Sequence, residues 1–203
     1  MKLDWPDCSN ARDLGGLPAA GGGRTRAGAL LRSDHHGQLT PAAVRSIRAG
    51  GVGRILDLRW SRECEGHPSP FAGDPLYRHT PMLDETIDYV VHPNSYGPML
   101  DYHKIRIGAA FGLLADAPPG GVVVHCHGGR DRTGVLVALA LSVAGVDPEA
   151  IVEDYTRSPT CDALTMRNTF DHVREAYGGA AGYLLATGVT RHQVDAVRER
   201  LLG

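Results

Sequence analysis

The chain has 203 residues, 42% of them hydrophobic, with 21 Lys plus Arg against 23 Asp plus Glu. That length can bury one substantial core, so a single domain over 1–203 is expected, and the near balance of charge does not suggest a nucleic-acid partner. The cysteines, Cys8, Cys64, Cys126 and Cys161, show neither CxxC pairing nor zinc spacing, so no disulfide framework, metal or cofactor is expected.

The first ten residues, MKLDWPDCSN, lack the apolar run of a secretion signal, and no later stretch reaches about 18 uninterrupted apolar residues. A cytoplasmic protein without membrane insertion is expected, with signal-independent export left open and the oligomeric state unread. Residues 1 to 28 are rich in Gly, Pro and Asp, and Gly21 to Gly23 mark a turn. Ala29 to Arg32 reads as a strand. A helix follows from Thr40, whose hydroxyl can cap it with Pro41 in the first turn, and Gly50, Gly51 and Gly53 end it. Arg54 to Leu58 reads as a second buried strand with Asp57 and Arg59 at its C-terminal end, where open α/β sheets place ligands.

After Pro68 and Pro70, Leu76 to Thr80 reads as an edge-like strand. The weakly patterned stretch from Pro81 through Pro98 reads as a functional loop or lid, where Tyr89, Tyr96 and, just beyond, Tyr102 could line a pocket or simply pack. Met99 to Ala115 is compatible with a helix. Val122 to Val124 is a β-branched run suited to a buried strand, and Thr133 to Gly145 is an apolar run suited to a buried helix. Asp147-Pro148-Glu149 opens the first of four further helical segments, Ala150 to Arg157, Asp162 to Tyr177, Gly179 to Thr187 and Thr190 to Leu202. Strands alternating with helices predict an α/β fold: a central, mostly parallel sheet of about four to five strands flanked by helices, with a helical C-terminal part.

Between the valine strand and the apolar helix lies HCHGGRDR, and its position decides its chemistry. The first amides of a helix have no intrahelical acceptor, so a loop wrapped over them can hold a phosphoryl group. Gly128 and Gly129 permit the backbone angles that turn N–H groups inward. Cys126 would lie at the bottom, where a helix entrance and neighbouring cations favour the nucleophilic thiolate. Arg132 can fork two N–H groups onto two phosphoryl oxygens. Thr133 could donate its hydroxyl to the sulfur, and His125 would orient the loop. The competing reading of Cys126 is a small inert core residue.

Cys126-x5-Arg132-Thr133 resembles the signature loop of the protein tyrosine phosphatase superfamily. HCHGGRDRTG is similar to the HCxAGKDRTG form of a bacterial and fungal branch, which includes a secreted mycobacterial enzyme acting on phosphotyrosine, phosphoserine/threonine and phosphoinositides. NARDLGG (10–16), LRSD (31–34), DLR (57–59) with Glu63, and the tail from Tyr177 resemble the same branch. The resemblance implies a cysteine-based phosphatase fold, a phosphocysteine intermediate, and phosphorylated protein or phosphoinositide substrates. Arg130 departs from the branch's lysine, keeping the cation but changing its reach. Trp5-Pro6-Asp7 matches the acid-loop tripeptide of many tyrosine phosphatases but lies far from the usual position before the cysteine, so it reads as coincidence. Arg12 and Asp13 read as a structural ion pair beside the active-site face.

The acid that protonates the leaving group is left open among Asp57, Asp131 and Asp84, the first two ahead of the third. The competing reading of Asp57 is a partner for Arg59 or a loop arginine. His127 and Arg130 would set substrate preference, Arg130 by meeting an additional phosphate or else lying solvated or paired with an Asp; His36, His67, His79, His92 and His103 read as solvated or satisfied side chains. A rhodanese-like sulfurtransferase and a phosphate-binding pseudophosphatase are the alternatives to an active enzyme.

Overall fold

In the computed structural model, which describes residues 1–3, 5–86 and 91–203, the chain forms a five-stranded sheet in the order β1-β2-β5-β3-β4. The strands are β1 (Arg12–Asp13), β2 (Leu30–Ser33), β3 (Val52–Asp57), β4 (Tyr77–His79) and β5 (Gly121–His125). All neighbours pair in parallel except β1, which runs antiparallel to β2. This is the expected architecture.

The valine run of β5 is buried on both faces, as a central parallel strand must be. Side chains alternate across it: Val122 and Val124 join the larger apolar cluster, while Val123 joins a smaller one with Ile55, Leu31, Ile47, Trp5 and Phe71. The larger cluster lies beneath α4 (Lys104–Ala115), α5 (Asp131–Val143), α6 (Pro148–Thr156), α7 (Ala163–Tyr177), α8 (Ala180–Ala186) and α9 (Arg191–Leu202). On the other side lies α1 (Pro41–Ala49), capped by the Thr40 hydroxyl. The helix α5 is buried around nearly its whole circumference, which explains a sequence without an amphipathic stripe.

Several boundaries differ from expectation. The strand expected at 54–58 begins at Val52, so Gly53 lies within it; a Cβ on Gly53 would collide with the Pro119 carbonyl. The helix expected over 99–115 is two, α3 (Tyr96–Tyr102) and α4, meeting at His103. The short α2 (Ser61–Gly66) has no counterpart in the sequence reading; its entrance is held by the Trp60 N–H donating to Glu63 Oε2 at 2.8 Å. Arg12 pairs with Asp154 at 2.7 Å and not with Asp13, whose carboxylate instead accepts the Gly15 and Gly28 N–H groups.

Candidate active site

The loop 126–130 joins the C-terminal end of β5 to α5, with Cys126 only 2% exposed. Its shape is set from outside. The His127 carbonyl accepts the His35 N–H at 2.9 Å; the Gly128 and Gly129 carbonyls each accept Asn10 Nδ2 at 3.0 Å; and Gly129 O also accepts Arg32 Nη2 at 2.7 Å. A trans peptide sets its N–H opposite its C=O, so the N–H groups of Gly128, Gly129 and Arg130 turn to the other side, the concave one. Gly129 sits at φ +64°, and any Cβ there would collide with the Ser33 carbonyl, so the tight approach of loop to β2 requires glycine.

A buried ionic brace holds those outer donors. Asp154 accepts Arg12 Nε at 2.7 Å and Arg32 Nη1 at 2.7 Å, while Asp34 accepts the Asn10 N–H at 3.1 Å. Burial disfavours the Asp154 charge, but the two arginines outweigh it and hold the carboxyl below its usual range. The NARDLGG segment thus packs against the back of the loop through Asn10 and, via Asp154, Arg12.

Arg132, at the start of α5, meets Glu63 of α2 through Nη1–Oε2 at 2.6 Å and Nη2–Oε1 at 2.9 Å, with the Trp60 ring 4.7 Å from its guanidinium carbon. The carboxylate occupies the Nη1/Nη2 edge of the fork, which leaves the Nε/Nη edge for an oxyanion. Burial pushes the Glu63 carboxyl up, and the Arg132 hydrogen bonds outweigh this and bring it below its usual value. Thr133 Oγ1 is fully buried without a partner among the described residues.

The three aspartates have different surroundings. Asp57 is 0% exposed: Arg59 donates from Nε at 2.9 Å to Oδ1 and from Nη2 at 2.6 Å to Oδ2, and the Tyr77 hydroxyl donates to Oδ2 at 2.7 Å. Burial raises its pKa, yet the neighbouring His125, Arg59 and Tyr77 outweigh it and the net direction is strongly down. His125 Nε2 lies 3.6 Å from Asp57 Oδ2, but burial depresses the imidazole, so at neutral pH this is a dipolar contact and not an ion pair. The guanidinium of Arg59 is likewise enclosed, its remaining Nη1 donating to the His67 carbonyl at 2.8 Å. Asp84 accepts from Thr86 and faces Arg106 at 3.5 Å. Asp131, the first residue of α5, is partly exposed and accepts the Tyr96 hydroxyl at 2.6 Å; Tyr96 in turn meets the Tyr155 hydroxyl at 2.8 Å.

Cys126, His127, Gly128, Gly129, Arg130, Asp131, Arg132, Thr133 and His125 are therefore one continuous structure, with Asp57 and Arg59 behind His125 at the end of β3. Arg130 folds back along Gly128 and donates to Thr160 Oγ1 at 2.6 Å. Trp5 is buried edge-on to His36, and Asp7 is exposed beside Gln38. Tyr102 is exposed, and Tyr89 lies outside the described residues.

Residues 3–165 match the model of the tyrosine phosphatase family. The chain belongs to this family. It is 30% identical over 170 residues to a Cupriavidus necator protein provisionally named a tyrosine-protein phosphatase, an alignment covering 77% of this chain and spanning 62% of that protein's length. A tyrosine-protein phosphatase of Nostoc commune is 26% identical over 219 residues, with 86% and 74% of the two chains covered. The triple specificity protein phosphatase PtpB of Mycobacterium tuberculosis is 26% identical over 278 residues, covering 98% of this chain and 99% of PtpB.

The family signature is readable from sequence, and Asn10 and Arg32 are carried by the resemblance without a role, whereas Trp60, Asp154 and Tyr155 carry no sequence signal as parts of the site. Glu63 was noted only within a resemblance; the one local signal for it was an acid three residues after Trp60, in position to cap a helix. Among the described residues no helix is long and apolar enough to cross a membrane.

Proposed function

We propose that this protein is a cysteine-dependent phosphomonoesterase acting through a phosphocysteine intermediate. The observation that carries the reading is the outward capture of three consecutive loop carbonyls, which aims the opposite N–H groups over Cys126 beside the Arg132 fork. A phosphoryl group seated there would have its oxygens met by amides and the Nε/Nη edge of Arg132, with phosphorus in front of sulfur. The Cys126 thiolate attacks phosphorus, the P–O ester bond breaks, and the leaving oxygen takes a proton from the Asp131 carboxylic acid. Water then attacks phosphorus, its proton passes to the Asp131 carboxylate, and the S–P bond breaks to release phosphate and thiolate. The unpartnered Thr133 hydroxyl is available to donate to the departing sulfur.

Asp131 is assigned the acid role because it is partly exposed beside the loop, whereas Asp57 is enclosed with Arg59 and serves to hold the end of β3 beneath His125. Asp84 is committed to Thr86 and Arg106. Substrates are phosphotyrosine proteins, and Arg130 at the rim extends the range toward phosphoserine/threonine proteins or phosphoinositides. The name of the mycobacterial relative supports that breadth.

The test is hydrolysis of para-nitrophenyl phosphate in EDTA by the wild type, Cys126→Ser and Arg132→Ala, with rapid acid-stable trapping of labelled phosphate on protein. Turnover abolished by Cys126→Ser, with vanadate inhibition and label lost in that variant, is expected. Activity surviving Cys126→Ser would exclude the covalent route.

A further inference from the structure

At the rim of the loop three imidazoles from three segments come together. His35 follows β2, His67 follows α2, and His127 is the residue after Cys126. The His35 and His127 rings stack at 4.8 Å and 21°, His35 and His67 lie 4.9 Å apart, and His67 and His127 lie 5.7 Å apart. Among the described residues no group of three or more His, Cys, Asp or Glu side chains is placed to hold a metal ion. His35 Nδ1 is buried without a hydrogen-bond partner among the described residues.

Such a stack beside Arg132 and Arg59 has an electrostatic consequence. Each proton added to one ring is resisted by the other two and by the two arginines. Among the described residues the acids that face the group are Glu63, with Oε1 3.7 Å from His127 Nδ1 but already committed to Arg132, and Asp34, which is bound by Ser9 and Asn10. Burial and the neighbouring cations bring His35 down to about 4 and His127 below its ordinary value. His35 and His127 are thus mostly neutral near pH 7, and a further anion placed against them would reverse the balance.

We propose that His35, His67 and His127 form a second anion subsite, which takes a phosphoryl group carried by the substrate close to the one being hydrolysed and gains protons when that group arrives. The proposal rests on the phosphatase reading only in placing the first phosphoryl group over Cys126. Because binding raises the imidazole pKa values, the gain in affinity is largest below their free values and vanishes above their bound values. It amounts to about tenfold per unit of rise for the protonated form. Substrates with two neighbouring phosphoryl groups would then be favoured increasingly as the medium acidifies.

The experiment is an NMR titration of the imidazole Cε1–H signals of the full chain between pH 4 and 8, free, with methylphosphonate, and with methylenebisphosphonate, neither of which can be hydrolysed. The expected result is a rise of one unit or more in the titration midpoints of His35 and His127 with the bisphosphonate and a smaller rise with the monophosphonate. The preference for the bisphosphonate should be greater at pH 5.5 than at pH 7.5, and His67→Gln should reduce that preference several-fold. Repeating the titration with a vicinal inositol bisphosphate and with a doubly phosphorylated peptide identifies the scaffold that delivers the second group; a rise with either supports the subsite. Equal shifts with one and two phosphonates, at a preference independent of pH, overturn it. Turnover of para-nitrophenyl phosphate alongside unchanged imidazole midpoints would sink the subsite alone, whereas absent turnover would sink the phosphatase reading.

Discussion

Glu63 and Arg132 meet fork to fork, with N–O distances of 2.6 and 2.9 Å, across 69 residues of sequence. The carboxylate fixes which edge of the guanidinium remains open, the edge that the proposed mechanism gives to a phosphoryl group, and the Trp60 ring lies 4.7 Å from the guanidinium carbon. Removing the carboxylate costs about 2 kcal/mol for hydrogen bonds to a charged group. Glu63→Gln is therefore expected to lower kcat/KM for para-nitrophenyl phosphate roughly thirtyfold. Steady-state kinetics with the circular dichroism spectrum as a control checks it; a loss under threefold in a folded protein would remove Glu63 from the orientation of Arg132.

The hydroxyl of Tyr96 holds Asp131 from α3, and Tyr155 holds Tyr96 from α6. If Asp131 gives the leaving oxygen its proton, Tyr96→Phe lets the carboxyl swing, and the effect is felt where the proton matters. A fall of about tenfold is expected for phenyl phosphate, whose leaving group is a poor one, against less than threefold for para-nitrophenyl phosphate, consistent with the loss of one hydrogen bond to a charged group. Equal losses on both substrates would detach the Tyr96 contact from acid catalysis.

The loop from Cys126 to Thr133 was legible because everything that defines it is contiguous: a β-branched strand, two glycines and an apolar helix. The sheet was legible for a similar reason, since each central strand carries a short apolar stretch, Leu30–Leu31 in β2, Ile55–Leu56 in β3 and Val122–Val124 in β5. What escaped was chosen by tertiary packing. Asn10 lies 119 residues before the carbonyl it binds on Gly129, and Arg32 lies 97 before it. Arg12 was assigned to its chain neighbour Asp13, yet Asp154 captured it because burying two arginines against β2 and the loop requires a buried acid from another element. The trace of this in sequence is an acid on the apolar side of α6, between Ile151, Val152 and Tyr155.

The enclosed His36–His125 pair, with rings 4.2 Å apart, makes stability sensitive to mild acid. Burial pushes both imidazoles below their ordinary value, so the folded chain leaves them unprotonated while the unfolded chain protonates them below about pH 6.5. Unfolding then takes up protons, and stability falls as pH drops, by up to about 1.4 kcal/mol per pH unit for each such histidine. The carboxylates Asp57 and Asp154, whose pKa values are depressed, stabilise above their unfolded values and lose that contribution only below about pH 4. Between pH 6.5 and 4.5 the histidines dominate this difference. Urea unfolding of the wild type and His36→Leu over that range should show a smaller pH slope in the variant; parallel slopes would show that His36 is not held neutral.

Asn10 offers the sharpest separation of shape from stability. Its Nδ2 reaches two adjacent loop carbonyls, and its Oδ1 accepts Arg12 Nη1 at 2.5 Å, so it ties the outside of the loop to the Asp154 brace. Asn10→Ala leaves the Arg32 bond to Gly129 in place but frees the Gly128 carbonyl from this donor, and the peptide that follows it can then rotate its N–H out of the concave face. The loss of these three hydrogen bonds, about 1 kcal/mol each, predicts a thermal midpoint lower by roughly 5 to 10 °C. The loss of an aimed N–H predicts something further: vanadate, which presents the geometry of the transition state, should lose about tenfold in affinity, and phosphate, which presents that of the product, should lose less. Inhibition constants for the two anions, measured at a temperature where wild type and variant are both folded, check the prediction. A lowered midpoint with unchanged vanadate inhibition would confine Asn10 to stability and leave the aim of the amides to Arg32 and the His35 N–H.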